Sequence, residues 1–245
     1  MPRVLVTGST TGLGLATAEY LLDHGQEVVL HARSEQGREA LAGLLERGAQ
    51  LVTGDLGDPE QVRALAEQAN SLGPYDAVIH NAGVIDGPDL LQVNLLAPYV
   101  LAAGIENPGR LILLSSGMHR GGRADLSGLA DGDADREWTY SDSKLLLTVL
   151  MAALARHWPD TPVHAVDPGW VPTRMGGPSA SDDLEEGHRT QGWLAITDSP
   201  AAASGGGYWH HRERQDPHPA VHDRELQEAL LDALATRTGV TLPAA

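Results

Sequence analysis

The hydrophobic positions form short apolar runs separated by segments whose apolar residues recur every three or four positions. Val4–Val6, Glu27–His31, Gln50–Thr53, Ala77–His80, Arg110–Leu114 and Val163–Val166 read as strands. Between them, Leu13–Asp23, Glu35–Arg47, Pro59–Ser71, Leu90–Ala103 and Trp138–His157 read as helices. The third carries a proline in its first turn, where a missing N–H is harmless. A helix between successive strands returns the chain to its starting edge, so the pattern predicts an α/β protein with a parallel sheet and helices on both faces. Tyr208–His210 supplies a last strand and Asp223–Thr236 a closing amphipathic helix. No repeat or linker divides the chain, so 1–245 is read as one domain.

Two segments break the alternation. Gly117–Glu137 is polar and glycine-rich, with Asp125, Asp131, Asp133 and Asp135, and reads as a solvated loop. Residues 175–207 mix Gly, Pro, Ser and acids around Leu184, Trp193 and Ile196. A connection of that length in a compact domain is characteristically functional, and it is read as a substrate lid. Trp170, Met175, Leu184 and Trp193 suit an apolar substrate wall and packing within the lid equally well.

Composition narrows the classes of function. The 245 residues are 42% hydrophobic, enough for a sizeable core. Absence of cysteine excludes disulfides, a thiolate nucleophile and Cys-ligated zinc. A net charge of −16 opposes nucleic acid and anionic membrane. The longest apolar stretch, Leu145–Ala155, is interrupted by Thr148 and falls far short of the roughly 20 residues that span a bilayer. Met1-Pro2-Arg3 runs directly into a strand without a signal-peptide layout, and the expected location is cytoplasmic. His210, His211, His218 and His222 sit in a Pro/Arg/Asp-rich segment and read as solvated, so no metal is expected. Lys144 is the only lysine among 17 basic residues.

The first strand–helix junction reads Thr7-Gly8-Ser9-Thr10-Thr11-Gly12-Leu13-Gly14. Glycines there permit a tight turn and close approach of a phosphate, and the helix N-terminus offers N–H groups and a favourable dipole. The second strand ends in Ala32-Arg33-Ser34, where an acid would bind a ribose hydroxyl. Arg33 suits a 2′-phosphate instead, favouring NADP(H) over NAD(H). Farther on, Tyr140-Ser141-Asp142-Ser143-Lys144 places a phenol and an ammonium four residues apart on one helix face. A nearby cation stabilises phenolate and eases proton exchange.

The Gly8/Gly12/Gly14 turn, Asn81-Ala82-Gly83, Ser115-Ser116, Tyr140/Lys144 and Asp167-Pro168-Gly169-Trp170-Val171-Pro172-Thr173 occur in order. Together they resemble the short-chain dehydrogenase/reductase family across nearly the whole chain. Tyr-Ser-Asp-Ser-Lys, the long approach to Tyr140 and Gly207-Tyr208-Trp209 are most like its retinol-dehydrogenase-like branch. The resemblance implies a single Rossmann-type, doubly wound sheet of order 3-2-1-4-5-6-7. It implies a carbonyl–alcohol oxidoreductase in which Tyr140 is the general acid or base. Lys144 would bind the nicotinamide ribose and depress the Tyr140 pKa. Ser116, rather than Ser115, would orient the substrate oxygen, and Asn94 would keep a water in the proton relay. Gly8 to Gly14, Arg33 and Ser34 would hold the phosphates and ribose, with Asp55 and Leu56 by the adenine. Asn81, Ala82 and Gly83 would line the cleft, and Pro168, Gly169, Val171 and Thr173 would flank the nicotinamide.

Three features depart from that family pattern. His80 stands where an asparagine is common, the stretch from Asn94 to Arg110 is short, and the loop from Ser116 to Tyr140 is long. The second and third leave monomer and homodimer both open. His119, in that loop, is read as an ordinary loop histidine, with substrate contact the alternative. The expected partner is a small to medium, fairly apolar ketone, aldehyde or secondary alcohol. A cofactor-binding sensor without catalysis is the competing class, and a sugar-nucleotide epimerase or dehydratase a third.

Overall fold

The computed structural model describes residues 1–133 and 136–244, so Asp135 of the acidic loop lies outside the described residues. Seven strands form the body of the sheet: β1 (Arg3–Val6), β2 (Glu27–Ala32), β3 (Gln50–Thr53), β4 (Ala77–His80), β5 (Leu111–Leu114), β6 (Val163–Asp167) and β7 (Gly207–His210). They are parallel, in the expected order 3-2-1-4-5-6-7, and a short β8 (Glu213–Gln215) adds an antiparallel edge. No hydrophobic pattern marked β8, because all three of its residues are exposed.

Period-two alternation splits the core between the two faces. Leu5, Val29, Val78, Leu111, Leu113 and Ala165 point one way. Their neighbours Val4, Val6, Leu30, Ile79, Ile112 and Val166 point the other. Helix α1 (Gly12–Asp23) belongs to the second face. After it, the predicted Glu35–Arg47 helix is a 3₁₀ turn (Glu35–Leu41) followed by the short α2 (Ala42–Glu46). Gly37 explains the change: a methyl there would stand 2.7 Å from Ala32 Cβ, so the backbone hugs the end of β2. Helix α3 (Pro59–Leu72) covers the first face, capped by Asp58, whose carboxylate accepts the Glu60 and Gln61 N–H groups.

The predicted Leu90–Ala103 helix contains a π-helical segment, Gln92–Leu96, that leads into α4 (Ala97–Gly104). Pro98 has no N–H to give the carbonyl four residues back, that of Asn94, and the ladder widens there. Helix α5 (Tyr140–His157) begins two residues later than predicted, at its Thr139 cap. The segment read as a lid contains α6 (Leu184–Ile196) and α7 (Pro200–Ala203). Helix α6 lies on α1, with Gln191 Nε2 donating to Thr17 Oγ1 at 3.1 Å. The chain closes with α8 (Arg224–Thr238), whose Leu230 and Leu234 are fully buried in the core that contains α5. Among the described residues no helix is long and apolar enough to cross a membrane.

Candidate active site

From β1 the sheet runs outward to β2 and β3 on one side and to β4 and β5 on the other. Such a reversal of strand order leaves a crevice at the carboxyl ends of the two central strands. A cavity of about 750 Å³ opens there. Gly8, Thr10, Thr11, Gly12, Leu13 and Gly14 form one wall. Gly8 has φ of +66°, and a methyl on it would stand 3.0 Å from Ala82 Cα. A methyl on Gly14 would overlap the Gly8 carbonyl and the Asn81 amide, so both positions demand glycine. Asn81 stitches β4 to this turn, its Nδ2 donating to the Thr7 carbonyl at 2.8 Å. Ser9 is not on the wall: it is buried behind the turn, donating to the Val6 carbonyl and accepting the His31 N–H.

Of the described helices with twelve or more residues, α1 alone has neither a side-chain cap nor an acid in its first turn. Its N–H groups and dipole therefore remain available to an anion, and the residues present fit a dinucleotide pyrophosphate. Arg33, Asp55 and Leu56 line the outer end of the cavity, with Arg33 Nε 3.8 Å from Asp55 Oδ2. Ser34 lies outside the wall, exposed at the head of the 3₁₀ turn. Ala82, Gly83, Pro168, Gly169, Val171 and Thr173 complete the lining expected of a nicotinamide site.

Ser116, Tyr140 and Lys144 converge on the opposite wall. Helix α5 starts where it does because Thr139 Oγ1 accepts the Asp142 N–H, and Asp142 accepts the Thr139 N–H in return, each at 3.1 Å. Arg123 also grips Asp142 at 2.6 Å. Burial alone would push the Asp142 carboxyl up, but these bonds hold it well below the usual carboxylate range. One turn further, the buried Lys144 Nζ donates to the Leu114 carbonyl at 2.7 Å and has no carboxylate partner among the described residues. Burial lowers its pKa to about 8.

The Tyr140 phenol is pushed up by burial, drawn down by hydrogen bonding with Ser116, and pushed up by the Asp167 carboxylate. The net shift is upward, so the depression expected from Lys144 is not present in the protein alone. The ammonium lies 5.6 Å from the Tyr140 ring centroid and is directed to Leu114 rather than to the hydroxyl.

The neighbouring residues divide into supports and walls. Ser115 and Ser116 both line the cavity; Ser115 Oγ pairs with Thr148 Oγ1 at 2.7 Å, while Ser116 Oγ accepts the Met118 N–H at 3.2 Å. Asn94 is fully buried behind the wall. Its Nδ2 donates to the Val84 carbonyl at 2.8 Å and Ser143 Oγ at 3.0 Å, clamping the segment after β4 to α5. His119 also sits behind the wall, its Nδ1 bonded to the Ser116 carbonyl at 2.8 Å and its Nε2 accepting the His218 N–H. Buried His80 has no hydrogen-bond partner for either ring nitrogen among the described residues, and burial lowers its pKa to about 4.

Trp170 and Met175 line the cavity, whereas Trp193 packs on Trp209 with ring centroids 5.4 Å apart. The sequence reading missed His31, Ile85, Met118, Asp167, Asp182 and His210, which also line it. Ile85, Met118, Trp170 and Met175 are, with Met1, the only exposed large hydrophobic residues among those described. Four otherwise unexplained apolar side chains around one opening mark a binding rim. His210 stacks on His211, centroids 3.8 Å apart, and the described residues contain no cluster of acids and histidines able to hold a metal.

Comparison with known proteins agrees with the architecture. A family model described as short chain dehydrogenase matches residues 2–101. Over 257 residues the chain is 36% identical to the short-chain dehydrogenase chry4 of Gibberella zeae, covering 99% of each protein. It is 32% identical to a candidate daunorubicin C-13 ketoreductase of Streptomyces, covering 97% of this chain and 93% of that one. It is 31% identical to retinol dehydrogenase 14 of Mus musculus, covering 71% and 62%. The blue fluorescent protein from a metagenomic library, solved in complex with NADPH, shares the fold with a TM-score of 0.71 at 23% identity, covering 85% of this chain and 95% of that one. The chain belongs to the short-chain dehydrogenase/reductase family and is an NAD(P)-dependent oxidoreductase with retinol-dehydrogenase-like relatives.

Proposed function

We propose that the protein interconverts an apolar ketone or aldehyde and its alcohol with NADP(H), using Tyr140 for the proton. The observation that carries this is the convergence of Ser116, Tyr140 and Lys144 on the same cavity as the glycine turn and the uncapped end of α1. A bound nicotinamide dinucleotide would supply or accept the hydride. Ser116 and Tyr140 would bind the substrate oxygen through their hydroxyls. Tyr140, held protonated by burial, gives its proton to that oxygen during reduction. Lys144 holds the cofactor ribose and supports the phenolate that remains. Asn94 acts from behind, fixing Val84 and Ser143. Arg33 at the open end favours a 2′-phosphate, and a structural neighbour solved with NADPH supports the same preference. The apolar rim and the ketoreductase name of one relative support a hydrophobic carbonyl substrate. The segment 175–207, whose first part lies beside that rim, would serve as the substrate lid, with its helix α6 packed on α1.

The test is fluorescence titration with NADPH and NADH, followed by a panel of apolar ketones and aldehydes with wild type and Tyr140→Phe. Tighter NADPH binding is expected, with oxidation of NADPH by some panel members. Tyr140→Phe should lose at least about 100-fold in turnover while binding NADPH normally. Equal activity in that variant would overturn the proton role, and tighter NADH binding would overturn the reading of Arg33.

A further inference from the structure

His31 looks out of place: a histidine only 3% exposed, next to the last residue of the interior parallel strand β2. Its surroundings account for it. Gly8, the first glycine of the phosphate turn, donates its N–H to His31 Nδ1 at 2.9 Å. On the far side of the ring, Nε2 lies 2.8 Å from the Gly54 carbonyl, immediately before Asp55 and Leu56. The backbone of His31 joins in, its carbonyl accepting the Ser9 N–H and its N–H donating to Ser9 Oγ, each at 3.0 Å. An amide N–H can only donate, so Nδ1 must be a bare acceptor and Nε2 must carry the single proton. His31 is also among the residues lining the cavity.

We infer that His31 is a positioning residue for the dinucleotide, a neutral clasp that fixes the phosphate turn at Gly8 to the adenine-side turn at Gly54. The inference rests on the dinucleotide reading of this cavity. An imidazolium at this place would set its Nδ1–H against the Gly8 N–H and break the clasp on the phosphate side. The Gly54 bond would survive, because Nε2 keeps its proton. Burial disfavours the charged ring, while the Gly54 bond and Asp55 favour it and Arg33 opposes it. Its pKa is thus below the ordinary histidine value, and the clasp is closed at neutral pH. Acidification below the ordinary value opens it. Asp55 and Arg33 are the charged groups that act on the ring.

The experiment compares wild type, His31→Gln and His31→Leu. Glutamine can present one acceptor and one donor yet cannot titrate, whereas leucine leaves the Gly8 N–H and Gly54 carbonyl unpaired. NADPH dissociation constants are measured by fluorescence from pH 8 to pH 5. At pH 8, His31→Leu should bind about tenfold more weakly than wild type and His31→Gln close to it. As pH falls, wild type should lose affinity relative to His31→Gln, while titration of the cofactor's own phosphate is common to both. Parallel curves for these two proteins, or unchanged affinity in His31→Leu, would overturn the clasp. Long-range ¹H–¹⁵N spectra of the cofactor-free wild type give a second readout. They should show Nε2 protonated and Nδ1 bare at neutral pH, and the opposite tautomer or an imidazolium there would equally overturn it. If NADPH binds none of the three proteins at any pH, the dinucleotide reading fails, and the spectra still decide whether the clasp exists.

Discussion

Lys144 carries the only ammonium side chain in the protein, and its surroundings explain why arginine does not replace it. The side chain is buried, reaches the Leu114 carbonyl, and has Gly83 so close that a methyl there would stand 3.4 Å from Nζ. A planar guanidinium is wider, always charged and carries five N–H donors, whereas Lys144 Nζ is matched here to the Leu114 carbonyl. Lysine tolerates the site by yielding part of its charge, with a pKa of about 8. Lys144→Arg should therefore lose at least about 100-fold in kcat/KM, comparable to removal of a general acid or base. It should also lower Tm, because a permanent charge is buried without a partner. Steady-state assays with the panel ketone and calorimetric melting check both parts. An active Lys144→Arg of unchanged Tm would mean that the single lysine is an accident of composition.

At the scale of elements, the parallel sheet was legible because β1, β4 and β5 are apolar on both faces and the helices α1 and α3 carry apolar residues at helical spacing. Gly8, Gly12 and Gly14 were legible because the chain cannot turn that tightly with side chains present. What stayed hidden depended on contacts between distant segments. The 3₁₀ turn at Glu35–Leu41 follows from the approach of Gly37 to Ala32. The π segment around Asn94 is set by Pro98, and His31 became intelligible only beside Gly8 and Gly54. The direction of the Tyr140 shift depends on burial and on Asp167, neither of which spacing reveals.

The start of α5 is the element that matters most, because it sets where Tyr140 and Lys144 project. Its reciprocal bonds between Thr139 and Asp142 define the first turn. Thr139→Ala removes the hydroxyl acceptor and should cost about 1 kcal/mol in urea unfolding. Because Tyr140 follows directly, turnover should fall while NADPH affinity at the other wall is kept. Loss of stability with unchanged turnover would show that α5 is positioned by its buried length alone.

For the whole molecule, the question is how a helix as apolar as α5 stays covered. From Asp142 to Met151 every residue of it is buried. Helix α8 supplies part of the cover, placing Leu230 and Leu234 in the same core, and the tail beyond it is pinned at several points. Val240 accepts the Tyr99 hydroxyl at 2.8 Å, and the Pro243 carbonyl lies 2.9 Å from His157 Nε2 and 3.2 Å from Trp158 Nε1. Fully burying a leucine stabilises a fold by about 1.5–3 kcal/mol. Loss of both removes about 3–6 kcal/mol, comparable only with the lower end of the total stability of an ordinary domain, about 5–15 kcal/mol. Deleting residues 223–245 should abolish cooperative unfolding or drive aggregation, as read by urea denaturation and light scattering. Breaking only the surface ion pair between Arg156 and Glu228, at 3.0 Å, is the matched control. Arg156→Ala should cost no more than about 1 kcal/mol. A truncated chain that unfolds cooperatively near the parent midpoint would show that the α5 face does not need α8, and that the sheet and its other helices hold the reacting wall in place without it.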